Sequence, residues 1–166
     1  MHRSTQIHTD ALRYLVMKRY LLIFLFLVSP YRLAIAAETL IFDCKRAEKD
    51  FTEEYEMKVV AATKLSKAKI YLDGRDLDQA DVNGTQVVKN VHITPPNIVM
   101  LIDAHFEPEI VAGIAYPAGT VTTLLTLNQA TGKLKKVETI QGGILGSNLG
   151  NGTRTSEEIC LPAKAR

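Results

Sequence analysis

The sequence predicts an all-β fold, an antiparallel sandwich or small barrel, closed by one disulfide. Short apolar stretches recur at spacings of about ten residues, as in antiparallel β proteins. Pairs such as Asp73-Gly74 and Asn83-Gly84 separate these stretches, and such pairs supply the positive φ angles that tight hairpins need. The only two cysteines, Cys44 and Cys160, stand near the two ends of the region that carries this pattern. Together these observations favour strands joined by tight turns.

The first two strands follow from period-two alternation. Leu40, Phe42 and Cys44 alternate with Ile41 and Asp43. In Glu54–Val59, charged residues alternate with apolar ones, which is typical of a half-buried strand. A helix over residues 50–65 is the alternative, because Asp50 and Glu53 have the spacing of a capping box. We expect the strand.

Later segments continue the β pattern. Asn97–Ile102 is an apolar run after two prolines, too short for a helix and suited to a strand buried on both faces at the centre of the core. Thr120–Leu127 and Lys133–Ile140 flank a turn and predict the clearest hairpin. The glycine-rich residues 142–152 predict a flexible connection, because neither a phosphate-binding nor a dinucleotide-binding motif is met there.

The N-terminal region, residues 1–36, has the features of a secretory signal peptide. A basic head at Lys18 and Arg19 precedes an apolar run, and small residues follow it. We expect translation to begin at Met17 and cleavage to fall between Ala36 and Ala37, leaving residues 37–166 as a single β-domain. An uncleaved anchor is the alternative, but proline and arginine interrupt the apolar run before the roughly 20 residues a membrane span needs. The sequence therefore predicts a periplasmic or extracellular protein with no stable membrane span after cleavage.

Charge argues against a nucleic-acid partner. Five basic residues and one acidic residue precede Ala37, so the remaining 130 residues carry 15 Lys and Arg against 17 Asp and Glu. Nucleic-acid binding requires a concentrated basic face. Lys133, Lys135 and Lys136 form the only tight basic group, and we expect them on the solvent face of a hairpin.

The cysteines predict a structural bridge. Export would place Cys44 and Cys160 in an oxidising compartment, where such pairs are normally bonded. Two buried free thiols are the simplest alternative, and a redox pair has little support because the two residues lack C-x-x-C spacing.

Two acidic segments are candidates for metal binding. Asp103, His105 and Glu107 share one face of an extended backbone and combine nitrogen and oxygen ligands that suit zinc. Residues 73–81 contain four aspartates but lack the glycine and glutamate of an EF-hand loop, so looser coordination of calcium by several carboxylates is the alternative there. We expect the first segment to be a solvated strand end that runs into a proline-containing loop, and the second to be a solvated turn. We predict no cofactor, because one segment alone rarely completes a metal site.

The sequence loosely resembles small exported bacterial β-domains, among them the periplasmic C-type lysozyme inhibitors. The resemblance is architectural and transfers no inhibitor residues. The turn Leu127-Asn128-Gln129-Ala130-Thr131-Gly132 is similar to an Ile-Asn-Arg-x-Thr-Gly turn of uncharacterised exported bacterial proteins, with Gln129 in place of Arg. That resemblance implies an exported protein of a group without assigned activity.

We therefore expect a binding or structural module whose partner is an exported protein or envelope component, and no catalytic activity. Loops at residues 104–119 and 141–156 would carry the binding residues, because loops on a rigid sheet usually do. The alternatives are a metal-assisted hydrolase that uses Asp103, His105 and Glu107, and an inhibitor of a cell-wall hydrolase.

Overall fold

The computed structural model describes residues 37–48 and 51–163 of the chain. Residues 1–36 lie outside the described residues, so the signal peptide, its cleavage at Ala36 and the start at Met17 stay predictions. The elements, in chain order, are β1 (Thr39–Glu48), β2 (Phe51–Val60), β3 (Lys69–Leu72), β4 (Arg75–Asp76), β5 (Gln79–Asp81), β6 (Gly84–Thr94), β7 (Asn97–Phe106), β8 (Glu109–Val111), β9 (Ile114–Tyr116), β10 (Gly119–Asn128), β11 (Lys133–Gly142), α1 (Gly143–Leu149) and β12 (Gly152–Pro162).

Ten of these strands form one antiparallel sheet that nearly closes into a barrel. The strand order is β4-β3-β2-β1-β12-β11-β10-β7-β6-β5, so the first and last strands of the described chain pair in the interior of the sheet. Cys44 on β1 lies directly opposite Cys160 on β12, and a disulfide joins them. The predicted all-β fold and the predicted disulfide are confirmed, and the structure is a barrel with a seam.

Side chains bridge the seam between the two ends of the sheet. The Gln86 side-chain amide donates to the carbonyl of Leu77 at 2.9 Å. The backbone N–H of Val88 donates to the Asp78 carboxylate at 2.8 Å, and Lys67 pairs with the same carboxylate at 2.8 Å. The Asp78 carboxylate thus accepts the hydrogen bond that a neighbouring strand would normally accept. Without it, the Val88 N–H would have no partner at the edge of the sheet.

The apolar core fills the barrel at the end where β2 finishes and β7 begins. Alternate residues of each strand point inward because successive side chains of a strand face opposite sides of the sheet. The largest fully buried side chains are Met57, Val59, Ile70, Ile98, Met100, Leu127, Leu134 and Cys160. We call this end of the barrel the filled end, and the opposite end the open end.

The structure decides two predictions about strands. Residues 51–60 form β2, paired over ten residues with β1, so the strand prediction is confirmed and the helical alternative is wrong. On β7, Ile98, Met100 and Ile102 are buried, whereas Val99 and Leu101 are only half-buried. Burial on both faces is therefore wrong for β7, because its outer face has no covering layer among the described residues.

The glycine-rich segment is not the flexible connection predicted. It contains α1, whose Gly143 N–H donates to the carbonyl of Ala118 at 3.1 Å. A Cβ on Gly119 would lie 2.7 Å from the Gly143 backbone, so the helix docks through direct backbone contact that only glycine permits. Asn151 accepts a hydrogen bond from the Gly142 N–H at 2.7 Å and fixes the entry to the helix. The glycines here serve close packing.

The two loops expected to carry binding residues are also partly ordered. Residues 104–106 continue β7, and the short hairpin β8–β9 occupies much of the segment to residue 119. Ile110, Val111 and Ile114 on this hairpin are exposed. In the second loop, α1 is followed after Gly150 and Asn151 by β12.

Candidate functional site

A cavity of about 540 Å³ occupies the barrel interior between the apolar core and the open end. The strands that build the core also build the cavity wall, but their inward positions change from apolar to charged. On β2 the sequence of inward residues is Met57, Tyr55 and Glu53, and on β11 Lys136 and Glu138 follow Leu134. The wall consists of Arg46, Glu53, Tyr55, Met57, Leu72, Asp73, Arg75, Leu77, Gln86, Ile102, Thr123, Leu125, Lys136, Glu138 and Glu158.

The cavity has an apolar floor. Leu77 and Ile102 are buried, and Leu125 is exposed by only 6%. Met57 is fully buried at the boundary with the core. A ligand that entered the cavity would therefore meet hydrocarbon at its inner end and charged groups at its outer end, an arrangement common in small-molecule sites.

Tyr55 and Glu158 form the central polar contact of the wall. The Tyr55 hydroxyl donates a hydrogen bond to the Glu158 carboxylate across 103 residues of sequence. Glu158 is exposed by only 5%, and it is the one charged residue that is buried among those described. Partial burial raises the pKa of Tyr55 well above its ordinary value, and the hydrogen bond and negative charge of Glu158 raise it further. The phenol is therefore held neutral, as a donor to the carboxylate.

Lys136 lines the cavity, although the sequence predicts it on the solvent face of a hairpin. Lys133 and Lys135 are exposed as predicted, but Lys136 is half-buried and lines the cavity. Its ammonium lies 3.3 Å from the Glu138 carboxylate, the next inward residue of β11. The prediction of a fully solvated lysine group is wrong at Lys136, because the alternation of β11 turns this residue inward with Leu134.

The outer rim of the cavity carries further charges of both signs. Arg46 on β1 and Glu53 on β2 lie opposite each other in the sheet. Asp73 and Arg75 flank the β3–β4 turn, where the Asp73 carboxylate accepts a hydrogen bond from the Glu56 N–H at 2.8 Å. Four acidic and three basic side chains line the cavity, so the wall has a small excess of negative charge.

Asp103, His105 and Glu107, the candidate metal ligands, are not gathered at one point. Asp103 accepts a hydrogen bond from Thr122 at 3.0 Å and lies 3.9 Å from Lys89. His105 lies 3.5 Å from Glu107, which follows the end of β7. Within residues 37–48 and 51–163, no group of three or more His, Cys, Asp or Glu side chains has an arrangement that could hold a metal ion.

The aspartates of residues 73–81 are used structurally. Asp76 pairs with Lys69, and this hydrogen bond lowers the pKa of Asp76 below its ordinary value. Asp78 bridges the seam. Asp81 accepts hydrogen bonds from the backbone N–H groups of Asn83 and Gly84 at 2.8 and 3.2 Å. These carboxylates stabilise turns and the seam, as expected for turn residues.

The Asn128–Gly132 turn lies against the disulfide strand. The Asn128 side chain accepts hydrogen bonds from Ala130 and Thr131 N–H, both at 3.0 Å. Gly132 has a φ of 71°, and its carbonyl accepts a hydrogen bond from the Cys160 N–H at 2.7 Å. The residue types of this turn are thus explained by local hydrogen bonding and by contact with β12.

Comparison of the chain with protein-family models, with curated proteins and with solved structures found no match in any of the three. The resemblance to exported β-domains and lysozyme inhibitors therefore stays a prediction. In the part of the chain that the structure describes, no helix is long and apolar enough to cross a membrane. Fold and site define a class: a disulfide-bonded, nearly closed antiparallel barrel with an apolar-floored, charged-walled cavity.

Proposed function

We propose that this protein is an exported binding protein that holds a small molecule in the open end of its barrel. The cavity of about 540 Å³ is the observation that carries the proposal, since ligand pockets of proteins typically measure about 300 to 1,000 Å³. The proposal refines the expectation of a binding module, because it places the ligand inside the sheet and not on the loops.

The wall chemistry supports a small organic ligand. Leu77, Ile102 and Leu125 offer apolar contact, which supplies most of the affinity in such sites. The cavity wall also provides the few polar groups that fix the orientation of a ligand, namely Tyr55, Lys136 and the carboxylates of the lining. Small barrels of about eight strands can hold one small ligand in their interior.

Export is supported by the signal-like pattern of residues 1–36 and by the disulfide. Disulfides persist mainly in oxidising compartments. The intact mass of the protein from its native host tests this part: a chain starting at Ala37 with both thiols blocked supports export, whereas a chain that retains Met17 and free thiols contradicts it.

Binding is tested with the neutral fluorescent probe N-phenyl-1-naphthylamine and the purified mature protein. We expect saturable fluorescence enhancement with the wild type. Thr123→Trp should weaken it strongly, because Thr123 lines the cavity and the indole would fill the space. Thr120→Trp is the matched control, since Thr120 is exposed on the same strand and does not line the cavity. Equal binding by both variants would place the probe elsewhere and contradict the proposal.

A further inference from the structure

We propose that the ligand of this cavity is an apolar molecule with a cationic amine, and that Glu158 binds the amine. The inference rests on the proposed function, because it names the chemical class of ligand for the same cavity.

The burial of Glu158 is the first argument. A carboxylate that is removed from water is costly unless hydrogen bonds and an opposite charge compensate it. Glu158 is exposed by only 5% and forms part of the cavity wall. The hydrogen bond described for it comes from Tyr55, which is neutral. Arg46 of the neighbouring strand β1 lines the same cavity, and a cationic ligand group would bring a further positive charge to the carboxylate.

The pairing of the other wall charges is the second argument. Lys136 lies 3.3 Å from Glu138, so these two neighbouring charges of β11 compensate each other. At the rim, Glu53 and Asp73 are accompanied by Arg46 and Arg75, and the cavity lining as a whole carries four acidic and three basic side chains, an excess of one negative charge. The potential of the cavity therefore favours a cation over an anion.

The apolar floor supplies the third argument. Met57, Ile102 and Leu125 are buried apolar residues that line the same cavity as Glu158. A ligand with an ammonium at one end and a hydrocarbon or aromatic body would place the ammonium against the carboxylate and the body on the floor. Charge-assisted hydrogen bonds of this type are roughly twice as strong as neutral ones.

Three indole compounds test the inference on the mature, disulfide-bonded protein: tryptamine, which is cationic, tryptophol, which is neutral, and indole-3-acetate, which is anionic. The chain contains no tryptophan, so the indole fluorescence of the probe reports binding without a tryptophan background from the protein. We expect tryptamine to bind roughly tenfold or more tightly than tryptophol, and indole-3-acetate to bind most weakly.

Two variants locate the charge recognition. Glu158→Gln preserves shape and should reduce tryptamine affinity to that of tryptophol. Glu157→Gln removes a charge from the adjacent, exposed position of the same strand and should leave the preference unchanged. If Glu158→Gln does not fold, the ranking of the three probes by the wild type still decides.

The outcomes separate the two proposals. Equal binding of the three probes, tighter binding of indole-3-acetate, or a tryptamine preference that survives Glu158→Gln overturns the amine inference and leaves the binding function standing. Absence of binding by all three compounds, together with a failed naphthylamine titration, overturns both.

Discussion

The hydroxyl of Tyr55 donates a hydrogen bond to the carboxylate of Glu158 inside the barrel. Cys44 lies directly opposite Tyr55, and Cys160 is the next inward residue after Glu158 on β12. The disulfide joins β1 to β12, and the Tyr55–Glu158 hydrogen bond joins β2 to β12 at the next inward position of β12. The boundary between the apolar core and the cavity lies at this point.

Replacement of Tyr55 by Phe should destabilise the fold by about 1 to 3 kcal/mol, because the buried Glu158 carboxylate would lose its described donor. Urea unfolding followed by circular dichroism measures the change. Tyr71→Phe is the control: the Tyr71 ring lies 5.3 Å from the Lys58 ammonium, and this contact does not need the hydroxyl. Equal losses of unfolding free energy in the two variants would show that the Tyr55–Glu158 hydrogen bond does not add to the stability of the fold.

Asp76 should contribute a pH-dependent part of the stability. Its pKa is lowered in the folded state, mainly by the hydrogen bond from Lys69. A lowered folded pKa gives stability that is present above the unfolded value of about 4 and is lost as the pH falls through the folded pKa. Asp76→Asn should therefore reduce the free energy of unfolding at pH 7 and flatten its decline below pH 4.

Lys69→Met supplies the matched control for Asp76. It removes the other partner of the same pair, so it should flatten the acid decline, but less than Asp76→Asn does, because the Asp78 N–H and the Lys67 charge also lower the pKa of Asp76. A steep decline retained in both variants would mean that other carboxylates account for it. Unfolding free energies measured between pH 7 and pH 2.5 distinguish the two results.

Loss of the disulfide should cost about 5 kcal/mol of stability in the chain-entropy model, because Cys44 and Cys160 are 116 residues apart. The double variant Cys44→Ala, Cys160→Ala and the reduced wild type should both unfold at lower urea concentration than the oxidised protein. The single variants Cys44→Ala and Cys160→Ala, compared with the reduced wild type, measure the effect of removing one buried sulfur atom without any change in the disulfide. A change of under about 1 kcal/mol would contradict the model.

Gly132→Ala should destabilise the protein more than Gly74→Ala does. Both glycines have positive φ, 71° and 78°, so both substitutions carry a backbone cost of about 1 kcal/mol. At Gly132 a Cβ would also lie 2.8 Å from the Leu161 side chain and 3.1 Å from the Cys160 carbonyl, whereas Gly74 has open space. Equal melting temperatures of the two variants would show that contact with β12 does not restrict the turn.

Local features of the fold were predictable from sequence. The β10–β11 hairpin forms as predicted, because Asn128 and Gly132 define the turn through bonds to their own neighbours. Asp73-Gly74 and Asn83-Gly84 likewise mark the β3–β4 and β5–β6 turns. The helical alternative for residues 50–65 is wrong, because the ten-residue pairing of β2 with β1 stabilises the strand more than a local capping pattern stabilises a helix.

The candidate site was not predictable in the same way. Its residues come from strands that are distant in sequence, and no motif connects Tyr55 with Glu158. The available signal was the alternation itself, which marks Lys136 and Glu138 as inward once Leu134 is known to be buried. Without the partner strands, a charged inward residue cannot be distinguished from an outward one.

The sequence alone therefore determined the all-β class and the main turns, because these depend on backbone preferences and on contacts between near neighbours. It also determined the cysteine pair, because the chain has only two cysteines. The tertiary structure alone decided the order of the strands, the seam at Asp78, the docking of α1 on Gly119 and the charged cavity around Glu158. These features depend on which strands meet across the barrel, and long-range pairing is set by the packing of the whole core.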